Sequence, residues 1–129
     1  MGRPPHLICI IDDDPSVRRA LGRIVRSFGF ETQLLASGRE CLDGPHIDRA
    51  ACLLLDVTMP GMDGFELHAL LQASSRSVPT VFISAHDDEA YRRQARSAGA
   101  VAFLQKPCEE SLLRDAIDKA LASYDPSRP

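Results

Sequence analysis

The stretch from Leu53 to Gly64 constrains the fold of this 129-residue chain more than any other. It begins with three consecutive leucines, which are typical of a strand buried on both faces. Asp56 follows where the strand would leave the core, and Pro60 and Gly61 then favour a tight loop. An acid at the carboxyl end of a central strand indicates a site of chemistry. On this stretch alone, a plain turn beginning at Asp56 is an equal alternative.

Length and composition indicate one globular domain with its own core. Hydrophobic residues make up 44% and charged residues 26% of the chain. A net charge of −3 gives no general reason for binding nucleic acid or a membrane, and no apolar run approaches the ~20 residues of a membrane span. The four cysteines lack C-x-x-C spacing and are predicted to be reduced thiols in the cytoplasm: Cys9, Cys41, Cys52 and Cys108.

Hydrophobic periodicity predicts five strands alternating with five helices. The predicted strands are Leu7–Ile11, Glu31–Ala36, Ala51–Leu55, Thr80–Ile83 and Val101–Leu104. The second strand is more polar and is placed near a sheet edge. The first helix buries a face of Val17, Ala20, Leu21, Ile24, Val25 and Phe28 and ends at Gly29; the next two cover Arg39–Leu42 and Phe65–Ser74. The fourth begins with the acids Asp87–Glu89 and ends at Gly99, and the last buries Leu112, Leu113, Ala116, Ile117, Ala120 and Leu121.

This alternation predicts an α/β fold with a doubly wound parallel sheet covered on both faces. Residues 1–122 are predicted to form the domain. Residues 123–129 have the composition of a C-terminal tail or the start of a linker.

Polar residues follow four of the predicted strands. Asp12 and Asp13 follow the first, Asp56 the third, Ser84 the fourth and Lys106 the fifth. In a doubly wound sheet these ends share one edge, where ligands bind. Carboxylate oxygens suit Mg²⁺, and an ammonium and a hydroxyl suit an anion. The edge is therefore predicted to join a phosphoryl group, magnesium and a carboxylate nucleophile.

Simpler interpretations exist for several of these residues. Asp14 before Pro15 is best explained as a helix N-cap, and either member of the preceding acidic pair could cap in the same way. Ser84 and Asp87 fit a capping pattern of the S-x-x-D type, which need not exclude phosphate contact. Phe103 is by default a core aromatic residue.

In these features the chain resembles the receiver domain of two-component response regulators, over roughly Leu7 to Leu121. The segments that carry the resemblance are Ile10–Asp14, Leu54–Gly64, Ile83–His86, Gly99–Ala100 and Leu104–Pro107. The resemblance implies a flavodoxin-like sheet with strand order 2-1-3-4-5.

The resemblance also implies a site. Asp56 would be the phosphoacceptor, taking a phosphoryl group from a phosphohistidine of a sensor histidine kinase. Asp13, Asp56 and the Thr58 backbone carbonyl would ligate Mg²⁺ (or Mn²⁺), with Asp12 acting through water. Ser84 and Lys106 would bind the phosphoryl oxygens.

By the same resemblance Ser84 and Phe103 would form a conformational switch, and the Lys106–Pro107 peptide bond would be cis. Ser84 stands where threonine is more frequent, and Phe103 where tyrosine is commoner.

Such a protein would catalyse only its own phosphorylation and dephosphorylation and would not otherwise be an enzyme. Its partners would be the kinase and an output domain or effector. The local sequence resembles regulators of transcription that bind DNA through a C-terminal helix-turn-helix. A homodimer that depends on phosphorylation is left open.

Two alternatives belong to other functional classes. A phosphohydrolase of the haloacid dehalogenase type is suggested by Asp12-x-Asp14-x-Ser16 after a hydrophobic strand. Pro15 and the short chain argue against it. A receiver-like interaction module that takes no phosphate is the other alternative, and the complete set of site residues argues against that.

Overall fold

A parallel sheet of five strands forms the centre of the computed structural model, which describes residues 5–86 and 88–124. The strand order is β2-β1-β3-β4-β5, and each neighbouring pair is parallel. The predicted fold class and strand order are confirmed. The strands are β1 Leu7–Ile11, β2 Glu31–Leu35, β3 Ala50–Asp56, β4 Thr80–Ser84 and β5 Ala102–Gln105.

Burial follows the apolar runs of the sequence. Every residue of β1, β3 and β4 is buried, as expected for strands covered on both faces. The more polar β2 is partly exposed and lies at the sheet edge, as predicted. The stretch that begins at Leu53 is therefore central, and its terminal acid lies where β3 ends.

Within the described part of the chain, five α-helices cover the sheet: α1 Pro15–Ser27, α2 Gly38–Asp43, α3 Gly64–Ala73, α4 Glu89–Ser97 and α5 Glu110–Ala122. Asp14 caps α1 by accepting the amide hydrogen of Ser16 at 2.9 Å, with Pro15 at the first helical position, as predicted. Asp63 and Glu66 form a capping box at the start of α3. The left-handed backbone at Gly29 and Gly99, with φ of 97° and 82°, ends α1 and α4.

The core has one apolar layer on each face of the sheet. On one face Leu53, Leu55 and Phe82 belong to the same buried cluster as Phe65 and Leu71 of α3. On the other face the buried cluster joins strand residues to residues of α1 and α5: Ile8, Ile10, Leu54, Leu21, Val25, Leu113 and Ile117. The two layers fix the sheet and leave the carboxyl ends of its strands as an open edge.

Some local predictions are wrong. The side chain of Leu112 is 52% exposed because adjacent helical positions point about 100° apart, and Leu113 takes the place facing the sheet. Ser84 does not cap α4, which begins at Glu89 with Asp88 as its N-cap. A 3-10 turn at His46–Arg49 was not predicted.

Two of the predictions fall on parts of the chain that the structure leaves undescribed. Asp87, the second member of the S-x-x-D pattern, lies outside the described residues, as do residues 125–129 of the predicted tail. Among the helices of residues 5–86 and 88–124, none has both the length and the apolar character needed to cross a bilayer. The four cysteines carry free thiols.

Candidate functional site

Three carboxylates meet at the carboxyl edge of the sheet. Ile11 of β1 is paired with Leu55 of β3, so the next residues, Asp12 and Asp56, emerge side by side. A carboxylate oxygen of each, together with one of Asp13, forms a group whose members lie within 4.8 Å of one another. Asp12 and Asp56 are 1% and 5% exposed, whereas Asp13 is exposed. The predicted acidic cluster is therefore present.

Lys106 contacts this cluster from beyond β5. Its Nζ lies 2.7 Å from Oδ2 of Asp12 and 3.2 Å from Oδ1 of Asp56. Burial disfavours the ammonium, but the hydrogen bond to Asp12 and the charge of Asp56 outweigh burial and raise the pKa of Lys106. The side chain is therefore a fixed cation within reach of two carboxylates.

Asp12 also forms hydrogen bonds with residues that follow it in the chain, just after β1. Its Oδ1 accepts the backbone amide of Asp14 at 2.9 Å, and its backbone carbonyl accepts a hydrogen bond from Nη1 of Arg18 at 2.7 Å. This arginine contact could not be predicted from the sequence, because Arg18 falls on the polar face of α1. Both carboxylate oxygens of Asp12 thus have a protein partner, one of them Lys106.

Asp56 carries a perturbed carboxyl group. Burial and the charge of Asp12 raise its pKa to about 6, although Lys106 and the backbone amide of Thr58 favour the ionised form. At neutral pH the group is therefore mainly an ionised carboxylate in a site that disfavours its charge.

The loop after Asp56 folds back onto the strand end. The backbone amide of Thr58 lies close enough to the Asp56 carboxylate to favour its ionised form, which places residue 58 beside the cluster. Gly61 has a left-handed backbone with φ of 76°. At the end of the loop, a Cβ on Gly64 would overlap the backbone carbonyl oxygen of Asp56. Glycine at position 64 therefore lets the start of α3 approach the end of β3.

Ser84 lies at the same sheet edge but in a different local arrangement. Its side chain is fully buried, and its hydroxyl accepts the amide hydrogen of His86 at 3.1 Å. The Ser84 carbonyl accepts the amide hydrogen of Lys106 at 2.8 Å, which ties the end of β4 to the residue after β5. The Lys106–Pro107 peptide bond is cis, the isomer that the resemblance implied.

Phe103 is a half-buried residue of β5 that packs against the buried cluster on one face of the sheet. Its register partner on β4 is Phe82. The guanidinium of Arg92 lies over the Phe103 ring, 5.1 Å from its centroid. The ring therefore lies at the boundary between the core and the surface formed by α4 and β5.

The residues at this edge fit a divalent cation. Carboxylate oxygens are hard donors that Mg²⁺ prefers. The single ammonium of Lys106 offsets at most one of the three negative charges of Asp12, Asp13 and Asp56. The donor set and its excess negative charge therefore suit Mg²⁺.

The sequence pattern of the response regulator receiver domain matches residues 8–118, a span that includes the acidic cluster and Lys106. The chain belongs to this family. Its members bind Mg²⁺ at an acidic pocket, work with histidine kinases and output domains, and are not enzymes in the usual sense.

The receiver domain is also similar to individual response regulators. It is 38% identical over 115 residues to the response regulator protein TodT of Pseudomonas putida, covering 89% of this chain and 51% of that protein. It is 33% identical over 120 residues to the transcriptional regulatory protein FixJ of Bradyrhizobium diazoefficiens, covering 93% of this chain and 58% of FixJ.

Among solved structures, the response regulator StyR superimposes with a TM-score of 0.84 at 42% identity, covering 92% of this chain and 60% of that chain. The receiver domain thus spans between half and three fifths of these relatives. These findings support a receiver domain of a two-component response regulator and give no support to the phosphohydrolase or the phosphate-independent module.

Proposed function

We propose that Asp56 accepts a phosphoryl group from a phosphohistidine of a sensor histidine kinase. The observation that carries the proposal is the placement of Asp56: a buried carboxylate at the end of the central strand, 3.2 Å from the Lys106 ammonium and beside two further acids. A carboxylate with a purely structural role would not need a lysine and two further acids beside it. A nucleophile that receives an anion would need such neighbours.

The transfer replaces one bond to phosphorus with another. An Oδ atom of Asp56 attacks phosphorus, the P–N bond to the histidine breaks, and its electron pair returns to the imidazole nitrogen. Lys106 would turn one of its hydrogens from a carboxylate to a phosphoryl oxygen, and the Ser84 hydroxyl would donate to another. The Thr58 amide, which lies beside the carboxylate, would help to orient it for attack.

In this proposal Asp13, Asp56 and the Thr58 backbone carbonyl would hold Mg²⁺ (or Mn²⁺), with Asp12 acting through water. The ion supplies positive charge that offsets repulsion between the incoming phosphoryl group and the carboxylates. Asp12 would remain the partner of Lys106, which keeps the ammonium over the site.

The phosphorylated state would be read through Ser84 and Phe103. A phosphoryl group on Asp56 would draw the Ser84 hydroxyl from the His86 amide, and Phe103 would rotate toward the space behind Ser84. Because Phe103 lies at the surface of α4 and β5, its movement would alter the face formed by α4, β5 and α5.

We further propose that the receiver unit spans residues 1–122, with residues 123–129 as a tail or linker to an output domain or effector. FixJ, one of the similar proteins, is a transcriptional regulator. This supports an output that acts on DNA. The exchange with the kinase would take place in the cytoplasm, without a membrane contact of this domain, and phosphorylation would favour a homodimer. The domain would catalyse only its own phosphorylation and dephosphorylation.

Acetyl phosphate with Mg²⁺ tests this proposal without knowledge of the kinase. We expect a label on the protein that never exceeds one per chain, survives acid and is lost in alkali, as an acyl phosphate is. Steady hydrolysis of simple phosphate esters without a labelled protein would instead favour a phosphohydrolase.

A further inference from the structure

The loop between β3 and α3 is seated on the start of α2 through the sulfur of Met62. A Cβ on Gly38 would lie 2.7 Å from Sδ and 3.4 Å from Cγ of Met62. Cβ atoms do not come that close to other atoms, so the absent side chain of Gly38 creates the notch that Met62 fills. Leu67 of α3 borders the same notch, 3.6 Å from that Cβ position.

The backbone of Gly38 does not itself require glycine. Gly38 is the first residue of α2, after the N-cap Ser37, and it is not among the residues with positive φ. Alanine would adopt this helical backbone with less loss of entropy than glycine does. Glycine at position 38 is thus explained by the close approach of Met62.

The loop that Met62 holds also reaches Asp56. Its first residue, Val57, donates its amide hydrogen to the backbone carbonyl of Ile83 of β4 at 3.0 Å. The Gly64 amide closes the loop by donating to the backbone carbonyl of Val57 at 2.9 Å. Between these anchors lies Thr58, whose backbone amide is close enough to the Asp56 carboxylate to favour its ionised form. Met62 adds an anchor on the side of α2, away from the hydrogen bonds to the sheet.

We propose that Met62, seated against Gly38, is a positioning residue that holds the 57–63 loop in the geometry required for phosphorylation of Asp56. The proposal rests on the proposed function. A displaced Met62 loosens the loop, and the amide and carbonyl of Thr58 then lose their fixed place beside Asp56. Small displacements of groups that orient a reacting carboxylate or a metal ligand are costly in rate and affinity.

Two single variants and their combination test the contact. Gly38→Ala pushes Met62 out of the notch, and Met62→Ala removes the sulfur. We expect each to lower the rate constant of phosphorylation by acetyl phosphate about tenfold and to raise the Mg²⁺ concentration for half-maximal rate. The melting temperature of Gly38→Ala should stay within about 3 °C of wild type, because alanine favours the helix.

The double variant separates positioning from general damage. With Met62 already shortened, the alanine methyl meets no sulfur, so the double variant should be no slower than Met62→Ala alone. Gly22→Ala is a matched control, since it introduces the same methyl at a buried helical glycine that packs against Leu34, on the other face of the sheet. Its rate should equal that of wild type.

Wild-type rates in both single variants, or effects that multiply in the double variant, would overturn the proposal. If Gly38→Ala fails to fold, amide hydrogen exchange of residues 57–63 in metal-free Met62→Ala decides it. Faster exchange in that loop supports positioning, and unchanged exchange refutes it. A wild-type protein that takes no phosphoryl group at all would refute the proposed function instead. The two failures can be distinguished, because the exchange measurement does not depend on phosphorylation.

Discussion

The ammonium nitrogen of Lys106 lies 2.7 Å from Oδ2 of Asp12, although 94 positions separate the two residues in the chain. The contact extends from the residue after β5, past the ends of β4 and β3, to the residue after β1. Asp56 lies within the same arrangement, 3.2 Å from the ammonium. One cation thus holds two buried carboxylates near each other.

Loss of this cation should destabilise the metal-free domain. Lys106→Met keeps the length of the side chain but leaves the charges of Asp12 and Asp56 facing each other without the ammonium between them, so the free energy of unfolding should fall by about 3 kcal/mol. Mg²⁺ should then stabilise Lys106→Met more than wild type, because a bound divalent ion replaces the missing charge. Urea denaturation with and without Mg²⁺ measures both effects.

Lys119→Met, at an exposed position of α5, is the control for loss of a lysine charge and should change stability little. Equal stability of Lys106→Met and wild type without metal would show that the contact with Asp12 is not needed to offset the carboxylates.

The raised pKa of Asp56 makes stability depend on pH. The folded state binds the proton with a pKa of about 6, above the ordinary value of 3.8, so ionisation of Asp56 costs stability above about pH 6. That cost disappears as the pH falls through 6 toward 4. Without metal, Asp56→Asn should therefore be more stable than wild type at pH 7.5, by on the order of 2 kcal/mol.

The difference between the two proteins should shrink as the pH falls to 4. Titrations that are the same in both proteins cancel in this difference in stability. One of them is the titration of buried His68, whose pKa is lowered by burial. Urea denaturation from pH 4 to 8 measures the difference. A difference that grows toward acid pH would contradict the raised pKa.

Asp13 should be required for the metal and not for the fold. Its carboxylate is the exposed member of the cluster, so Asp13→Ala removes a proposed ligand and relieves repulsion among the acids. Mg²⁺ binding should be lost, while the melting temperature without metal stays equal or rises. Isothermal titration calorimetry and thermal unfolding provide the two readouts.

Asp14→Ala is the matched control one position along. It removes the N-cap of α1, so the melting temperature should fall while Mg²⁺ binding persists. Normal Mg²⁺ binding by a strongly destabilised Asp13→Ala would reverse these two roles.

Much of the fold could be predicted from local sequence patterns. Apolar runs such as Leu7–Ile11 predict strands buried on both faces, and the alternation with amphipathic helices predicts a parallel sheet. The acids that follow these runs could be placed at one edge, because all strands of a parallel sheet end there. The caps at Asp14 and Gly29 are local signals of the same kind.

What the sequence left open depends on contacts between distant segments. Arg18 falls on the polar face of its helix, and nothing nearby indicates its bond to the Asp12 carbonyl. Leu112 and Leu113 are equally apolar neighbours, and only packing decides which one faces the sheet. The notch that the missing side chain of Gly38 leaves could not be recognised from the sequence, because Met62, which fills it, lies far along the chain.

Phosphorylation should move Phe103 through Ser84. Beryllofluoride, a stable mimic of the phosphoryl group, should shift NMR signals of residues 84–121 more than those around Phe28 or Leu42, because a two-state element responds to the differential contacts of its ligand. Ser84→Ala removes the hydroxyl that would couple the two sites, so the Phe103 response should be lost. An intact response in Ser84→Ala would refute the coupling while leaving the site itself untouched.

The most direct measurement is the intact mass of wild type and Asp56→Asn after incubation with acetyl phosphate, with and without Mg²⁺. If Asp56 is the phosphoacceptor, wild type should gain the mass of one phosphoryl group when Mg²⁺ is present and none when it is chelated, and Asp56→Asn should gain none in either case. Equal labelling of wild type and Asp56→Asn would contradict the assignment.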